Sequence, residues 1–218
     1  YEAMRYVDDG VRTRYVTQFE PGNPPPSDTD SDTLGFELAG AREDIYFDPV
    51  KTRCGIVTCG GLCPGLNDVI RAIVLQLHYS YGVRHIAGFR YGFEGLVPSF
   101  RHETMTLTPE NVERIHEQGG SVLSSSRGPQ DAVEMVDALE RLNMQALFCI
   151  GGDGTFRGAL AICDEIQRRG LKIAVVAVPK TIDNDIAFTS RTFGFETAYS
   201  IAANAIRGAN VEALGTQN

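Results

Sequence analysis

The chain has 218 residues with 28 Asp and Glu against 20 Lys and Arg, a formal net charge of -8 at pH 7. An acidic chain without long Lys or Arg runs argues against nucleic acid as a partner. No signal peptide and no apolar run of membrane-spanning length appear, so we expect a protein with no membrane partner.

The acidity is concentrated in residues 1–48, where 11 Asp and Glu stand against 4 Arg, a net charge of -7. Within this part, residues 21–32 are rich in Pro, Ser and Asp, a composition with too little apolar surface to order itself. We therefore predict an acidic N-terminal extension and linker at 1–48, followed by one domain at 49–218.

From residue 54 onward, strand-like and helix-like patterns alternate. Strands are predicted at 54–58, 85–89, from 119 to about 128, 146–150 and 172–178. Helices are predicted at about 67–79, from a cap near Thr108 and Pro109, and at 131–142, 156–169 and 195–208. This alternation with short connections favours a three-layer α/β/α domain with a largely parallel sheet.

Three polar clusters each follow an apolar strand. Gly60 and Gly61 precede a predicted helix, so their backbone can approach an anion near the free N–H groups of that helix. The second cluster is 151–155 and the third is 179–185. Because ligands bind at the carboxyl ends of parallel strands, we expect the three clusters to face one crevice. For the first cluster alone, a tight strand-to-helix turn is an equally good interpretation.

The side chains of the second and third clusters are typical of phosphoryl transfer. Asp153 suits Mg²⁺, which proteins hold with one or two carboxylates plus substrate phosphates, although Asp is also a preferred helix N-cap. Asp183 and Asp185 are two residues apart and need not point the same way, so we expect different roles for them. One carboxylate could accept a proton from an attacking hydroxyl, while Asn184 and Asp185 could build an Asx-turn.

Four ordered motifs give the sequence a family resemblance. They are Gly60-Gly61-Leu-Cys-Pro-Gly-Leu-Asn67, Ser125-Ser126-Arg127-Gly128-Pro129, Gly151-Gly-Asp-Gly-Thr155 and Pro179-Lys-Thr-Ile-Asp-Asn-Asp185. Together they resemble 6-phosphofructokinase, most closely the ATP-dependent branch of plants and trypanosomatids that is related to the pyrophosphate-dependent enzymes. The resemblance runs from about residue 37 to residue 218.

The resemblance implies a phosphofructokinase-like fold, an activity and roles for particular residues. The implied reaction transfers the γ-phosphate of ATP to the 1-hydroxyl of fructose 6-phosphate in glycolysis, with Mg²⁺ at Asp153. The implied catalytic residues are Asp183 as the base, Arg127 and Lys180. The implied substrate contacts are Thr181, Ile182 and Asp183. The implied nucleotide contacts are Gly60, Gly61, Arg127, Gly128, Gly152, Asp153, Gly154 and Thr155.

Two positions bear on the phosphate donor and point in different directions. In the family, glycine at position 154 leaves room for the α-phosphate of a nucleotide, while pyrophosphate-dependent enzymes carry aspartate there. Lys180, in contrast, matches the pyrophosphate users and the trypanosomatid-like branch. We expect ATP because an aspartate would exclude it by both bulk and charge. The alternatives are a pyrophosphate-dependent phosphofructokinase, a lipid or NAD kinase, and a non-catalytic nucleotide-binding module.

The remaining expectations concern the setting of the protein. The five cysteines lack C-x-x-C spacing, which is typical of reduced thiols in a cytosol-like compartment. The resemblance implies the cytoplasm, or a glycosome for a trypanosomatid-like source, and an allosteric homotetramer. It also implies sugar-phosphate contacts in a C-terminal domain after Asn218, so we expect the isolated chain to be inactive.

Overall fold

A computed structural model describes residues 6–14, 35–187 and 189–216. The chain divides into two compact units, residues 1–48 and 49–218. The segment 21–32, predicted to be a linker, lies outside the described residues.

The first unit contains a small antiparallel sheet. Strand β1 (Arg12–Arg14) pairs with β2 (Gly35–Glu37). The guanidinium of Arg42 donates hydrogen bonds to the carbonyl oxygens of Val7 at 2.9 Å and Leu38 at 3.0 Å. These charged hydrogen bonds tie the two ends of the described part of this unit together.

The second unit is a five-stranded sheet with helices on both faces. Its strands are β3 (Arg53–Thr58), β4 (His85–Phe89), β5 (Thr104–Thr106), β6 (Ala146–Gly151) and β7 (Ala174–Pro179). Its helices are α1 (Leu66–Leu75), α2 (Pro109–Val112), α3 (Ala132–Arg141), α4 (Asp153–Arg169) and α5 (Phe195–Gly215). The strand order is β5-β4-β3-β6-β7, with only β5 antiparallel to its neighbour. This confirms the predicted α/β fold with a largely parallel sheet.

The central strand β3 is apolar on both faces, which requires a helical layer on each side. On one face, Ile56 belongs to a buried cluster with Ile70 of α1. On the other, Val57 packs in a cluster with Val136 of α3 and Ile162 of α4. All five residues are fully buried. The two clusters fix the helices against the sheet and so place the carboxyl ends of the strands relative to one another.

The last strand and helix are more exposed than the centre. β7 is an edge strand with no fully buried residue, and α5 also buries none along its length. Helix α5 runs to Gly215, seven residues beyond the predicted end at residue 208. Within the ranges that the structure covers, no helix is long and apolar enough to cross a membrane.

The strand predicted from residue 119 to about 128 is wrong, because this segment is irregular. Ser124 lies in the left-handed region at φ 57°, which a strand cannot accommodate. The Thr58 hydroxyl hydrogen-bonds to Ser121 Oγ at 2.8 Å and to the Ser124 carbonyl at 2.5 Å. Side-chain hydroxyls compete with a strand ladder for backbone groups. In this segment Thr58 Oγ1 binds the Ser124 carbonyl, and Ser121 Oγ accepts from the N–H of Leu123 at 3.2 Å.

Two helix boundaries also differ from expectation. Helix α1 is followed by a π-helical turn over Gln76–Ser80. The helix and the turn together cover the predicted helix at 67–79. The cap at Thr108 is confirmed, since Thr108 and Asn111 form a capping box, but helix α2 ends after one turn at Val112. The antiparallel strand β5 was not predicted.

Candidate active site

The crevice of the sheet lies between the carboxyl ends of β3 and β6. From β3 the chain continues to β4 on one side, whereas from β6 it continues to β7 on the other side. Such a switch point opens a space between the two following loops, where α/β proteins bind ligands. A cleft of about 720 Å³ occupies this place in the protein.

The structure brings all the sequence-predicted site residues to this one cleft. They are Gly60, Gly61, Arg127, Gly128, Gly152, Asp153, Gly154, Thr155, Lys180, Thr181, Ile182 and Asp183. They come from four segments that are far apart in sequence. Their shared location fits a single ligand site, while the role of each residue remains a prediction.

The glycine loop after β3 is bound to the segment that carries Arg127. Gly60 lies at φ 80°, its N–H donates to the Ser126 carbonyl at 3.0 Å, and its carbonyl accepts from Ser125 Oγ at 2.6 Å. A Cβ on Gly61 would lie 3.5 Å from Nη2 of Arg127. These two hydrogen bonds fix the glycine loop beside the guanidinium of Arg127, a group that suits a phosphate.

Lys180 links the same glycine loop to the end of β7. Its side chain is buried at 5% exposure, and Nζ donates a hydrogen bond to the carbonyl of Gly61. Burial lowers the pKa of Lys180, because a desolvated ammonium loses the hydration of its charged form. The result is a cation already in place between two of the predicted phosphate-facing loops.

Asp153 is the first residue of α4, whose N-cap is Gly152 and has no side-chain capping bond. The alternative that Asp153 caps the helix is therefore wrong. Its side chain is exposed in the cleft, and within residues 6–14, 35–187 and 189–216 no hydrogen bond or ion pair engages its carboxylate. The first N–H groups of α4 lack intrahelical partners and, with the helix dipole, favour an anion at the same place.

A single free carboxylate at an anion-binding helix end fits one kind of metal site. Among the residues that the structure covers, no group of three or more His, Cys, Asp or Glu could hold a metal ion. Mg²⁺ is commonly held by one or two carboxylates together with substrate phosphates. The residues present therefore fit Mg²⁺ that arrives with a phosphate ligand and binds at Asp153.

The loop after β7 separates its two aspartates. Thr181 Oγ1 donates to Asp185 Oδ1 at 2.7 Å and accepts from the N–H of Asp183 at 3.1 Å. Asp185 is thus engaged within the loop. In the part of the chain that the structure describes, no partner engages the exposed carboxylate of Asp183, which lines the cleft and is available to a ligand.

Sequence reasoning missed one wall of the cleft. Arg157 and Ala161 of α4 line it, as does Phe93 from the turn after β4. Gly158 allows this contact, since a Cβ there would lie 2.5 Å from the Phe93 ring. Arg157 and Ala161 are four and eight residues after Asp153, so helical periodicity could have placed all three on one face. No local signal in the sequence brings Phe93 to this helix.

Comparison with known proteins identifies the family. A family model for phosphofructokinase matches residues 53–218. The chain belongs to the phosphofructokinase family. It is 54% identical over 178 residues to an ATP-dependent 6-phosphofructokinase of Trypanosoma cruzi, which covers 82% of the chain and 37% of that protein. An ATP-dependent 6-phosphofructokinase of Trypanosoma brucei brucei is 52% identical over 199 residues, or 88% of the chain and 41% of the relative.

The resemblance extends to plants, where ATP-dependent 6-phosphofructokinase 7 of Arabidopsis thaliana is 46% identical over 84% of the chain and 37% of its own length. Among solved structures, Pichia pastoris phosphofructokinase in the T-state superposes with a TM-score of 0.61 at 21% identity, covering 81% of the chain and 21% of that structure's chain. This structural likeness shows a shared fold. The chain spans about two fifths of the length of the trypanosome relatives.

Proposed function

We propose that this chain is the nucleotide-binding part of an ATP-dependent 6-phosphofructokinase. The reaction would transfer the γ-phosphate of ATP to the 1-hydroxyl of fructose 6-phosphate, giving ADP and fructose 1,6-bisphosphate. The names of the relatives support the activity. The environment of Gly154 is the observation that carries the choice of ATP as donor.

Gly154 lies in the exposed first turn of α4 and faces the cleft. A Cβ at this position would meet no atom within 4 Å, and the backbone does not adopt a positive φ. Glycine in a helix is unfavourable by about 1 kcal/mol relative to alanine. Since neither packing nor backbone conformation requires glycine, close approach of a bound ligand is the remaining physical reason for it. The family resemblance implies that this ligand group is the α-phosphate of a nucleotide, so the open space at Gly154 supports ATP as the donor.

The proposed mechanism assigns one step to each charged residue. The 1-hydroxyl oxygen attacks the γ-phosphorus, its proton passes to the Asp183 carboxylate, and the bond to the bridging oxygen breaks as ADP leaves. Lys180 and Arg127 stabilise the charge that develops on the transferred group. When bound at Asp153, Mg²⁺ would neutralise charge on the phosphates of the donor.

One observation favours a second candidate, a pyrophosphate-dependent phosphofructokinase. Lys180 is buried and bonded to the glycine loop, so the residue shared with pyrophosphate users is an integral part of this site. The trypanosomatid-like ATP-dependent branch also carries this lysine, which is why Gly154 decides our proposal.

A donor assay on the full-length protein tests the proposal. With saturating fructose 6-phosphate and Mg²⁺, fructose 1,6-bisphosphate formation is measured with ATP or pyrophosphate over the same concentration range. We expect a higher kcat/KM with ATP. Faster transfer from pyrophosphate would support the second candidate, and no transfer from either donor would leave a non-catalytic nucleotide-binding module.

The family also supports a setting for the enzyme. We infer a homotetramer in the cytoplasm or, for a trypanosomatid-like source, in a glycosome. Light scattering of the full-length protein and fractionation of the source cells would test these two points.

A further inference from the structure

Residues 192–194 connect two loops of the cleft that are far apart in sequence. Cys63, in the glycine loop after β3, donates a hydrogen bond from Sγ to the Phe193 carbonyl at 3.6 Å. Gly194 lies at φ 83° and packs against the backbone of Pro64, where a larger residue would not fit. This segment is therefore seated on the glycine loop.

The same segment also holds the loop that carries Asp183, through Thr192. The Thr192 N–H donates to Asn184 Oδ1 at 2.7 Å, and its hydroxyl donates to the Thr181 carbonyl at 3.1 Å. Thr192 is a polar residue at 8% exposure, so both bonds are sheltered from water. Thr192 thus forms hydrogen bonds with residues before and after Asp183, at Thr181 and Asn184.

The backbone conformation of Asn184 allows its side chain to accept the hydrogen bond from Thr192. It lies in the left-handed region at φ 54°, which Asn tolerates better than most residues with a side chain. In this conformation its side chain reaches Thr192 while its backbone turns the chain directly after Asp183. The Thr181 hydroxyl completes the arrangement by accepting the N–H of Asp183 at 3.1 Å.

We propose that Thr192 and Asn184 are a positioning pair that sets the place of the Asp183 carboxylate relative to the glycine loop. This inference rests on the proposed function, in which Asp183 is the base. The exposed Asp183 side chain has no bond of its own in the part of the chain that the structure covers, so its place depends on its backbone. A base must reach its proton within about 3 Å. The pair should therefore act on kcat and leave ATP binding intact.

Four variants of the full-length protein test the pair. Thr192→Val keeps the shape and removes the hydroxyl, whereas Thr192→Ser keeps the hydroxyl. Asn184→Gly keeps the left-handed backbone and removes the acceptor, whereas Asn184→Asp keeps an acceptor oxygen. We expect Thr192→Val and Asn184→Gly to lower kcat about tenfold to a hundredfold with an unchanged KM for ATP, as a small misplacement of a catalytic group does. Thr192→Ser should retain most of the activity. Asn184→Asp should retain the hydrogen bond to the Thr192 N–H, while its added charge beside Asp183 lowers activity by a separate effect.

The amide hydrogen of Thr192 gives a second measurement that does not depend on turnover. Its exchange with solvent should be slow in the unmodified protein and in Asn184→Asp, and fast in Asn184→Gly. If Thr192→Val fails to fold, the two Asn184 variants decide the proposal. Unchanged kcat in Asn184→Gly, equal losses in Thr192→Val and Thr192→Ser, or a raised KM for ATP in Thr192→Val or Asn184→Gly would overturn it. If the unmodified protein transfers no phosphate, the proposed function fails. The exchange of the Thr192 amide then still shows whether the hydrogen bond between Thr192 and Asn184 forms.

Discussion

Replacing Gly154 by Asp should raise the KM for ATP without lowering the stability of the protein. A Cβ at this position meets no atom within 4 Å, so the added side chain starts in open space. By helix propensity, aspartate gains only about 0.3 kcal/mol over glycine, and a negative charge in the first turn gains roughly 0.3–1 kcal/mol from the helix dipole. We expect the free energy of unfolding to stay the same or rise by about 1 kcal/mol.

Although Gly154→Asp should not destabilise the protein, it should weaken the binding of ATP. A carboxylate about 4 Å from a phosphate charge costs about 4 kcal/mol at an effective dielectric constant near 20 and about 1 kcal/mol in bulk water. Position 154 is exposed on the wall of a cleft, so the cost should lie between these limits. At 1.4 kcal/mol for each factor of ten, the KM for ATP should rise about tenfold to a hundredfold.

The assay compares Gly154→Asp with Gly154→Ala as the matched control. Initial rates of fructose 1,6-bisphosphate formation give the KM for ATP, and thermal unfolding gives the stability of each variant. Gly154→Ala should raise the free energy of unfolding by up to about 1 kcal/mol through helix propensity, with a much smaller effect on the KM for ATP. A Gly154→Asp enzyme with an unchanged KM for ATP would refute the reasoning, because the side chain would then not face the nucleotide.

Three further predictions concern named carboxylates. Asp183→Ser removes the proposed proton acceptor, so kcat should fall by on the order of 10²–10⁴ with ATP affinity little changed, and a normal kcat would contradict the assignment. Asp153→Asn should raise the Mg²⁺ concentration needed for half-maximal activity and should lower the free energy of unfolding by no more than about 1 kcal/mol, the contribution of a negative charge in the first turn of a helix; an unaltered magnesium titration would remove Asp153 from the metal site. Glu165 accepts hydrogen bonds from Arg168 and Arg169, which lower its pKa from 4.5 to about 2. A lowered pKa stabilises the fold above pH 4.5 and loses this effect as the pH falls to about 2, so Glu165→Gln should flatten this part of the acid-unfolding curve.

The sequence by itself determined the layered fold and the main candidate residues. Alternating strand and helix patterns with short connections predicted the parallel core, because a helix that connects two parallel strands packs on the face of their sheet. Glycine and aspartate clusters after those strands predicted one crevice, since parallel strands bring their carboxyl ends to the same edge. Gly60, Asp153 and Asp183 do line that crevice.

Only the tertiary structure decided which individual atoms from distant segments form contacts. The bond from Lys180 to Gly61 and the contact of Phe93 with Gly158 join segments that no local pattern connects. The pattern of the serine segment before Arg127 predicts a strand. In the structure the segment is irregular, and the Thr58 hydroxyl forms hydrogen bonds with Ser121 and Ser124 in it. Local periodicity reports which face of an element is apolar, whereas such bonds depend on where the sheet order β4-β3-β6-β7 places the loops. That order is set by packing among all the helices and strands together, which is why the sequence did not reveal it.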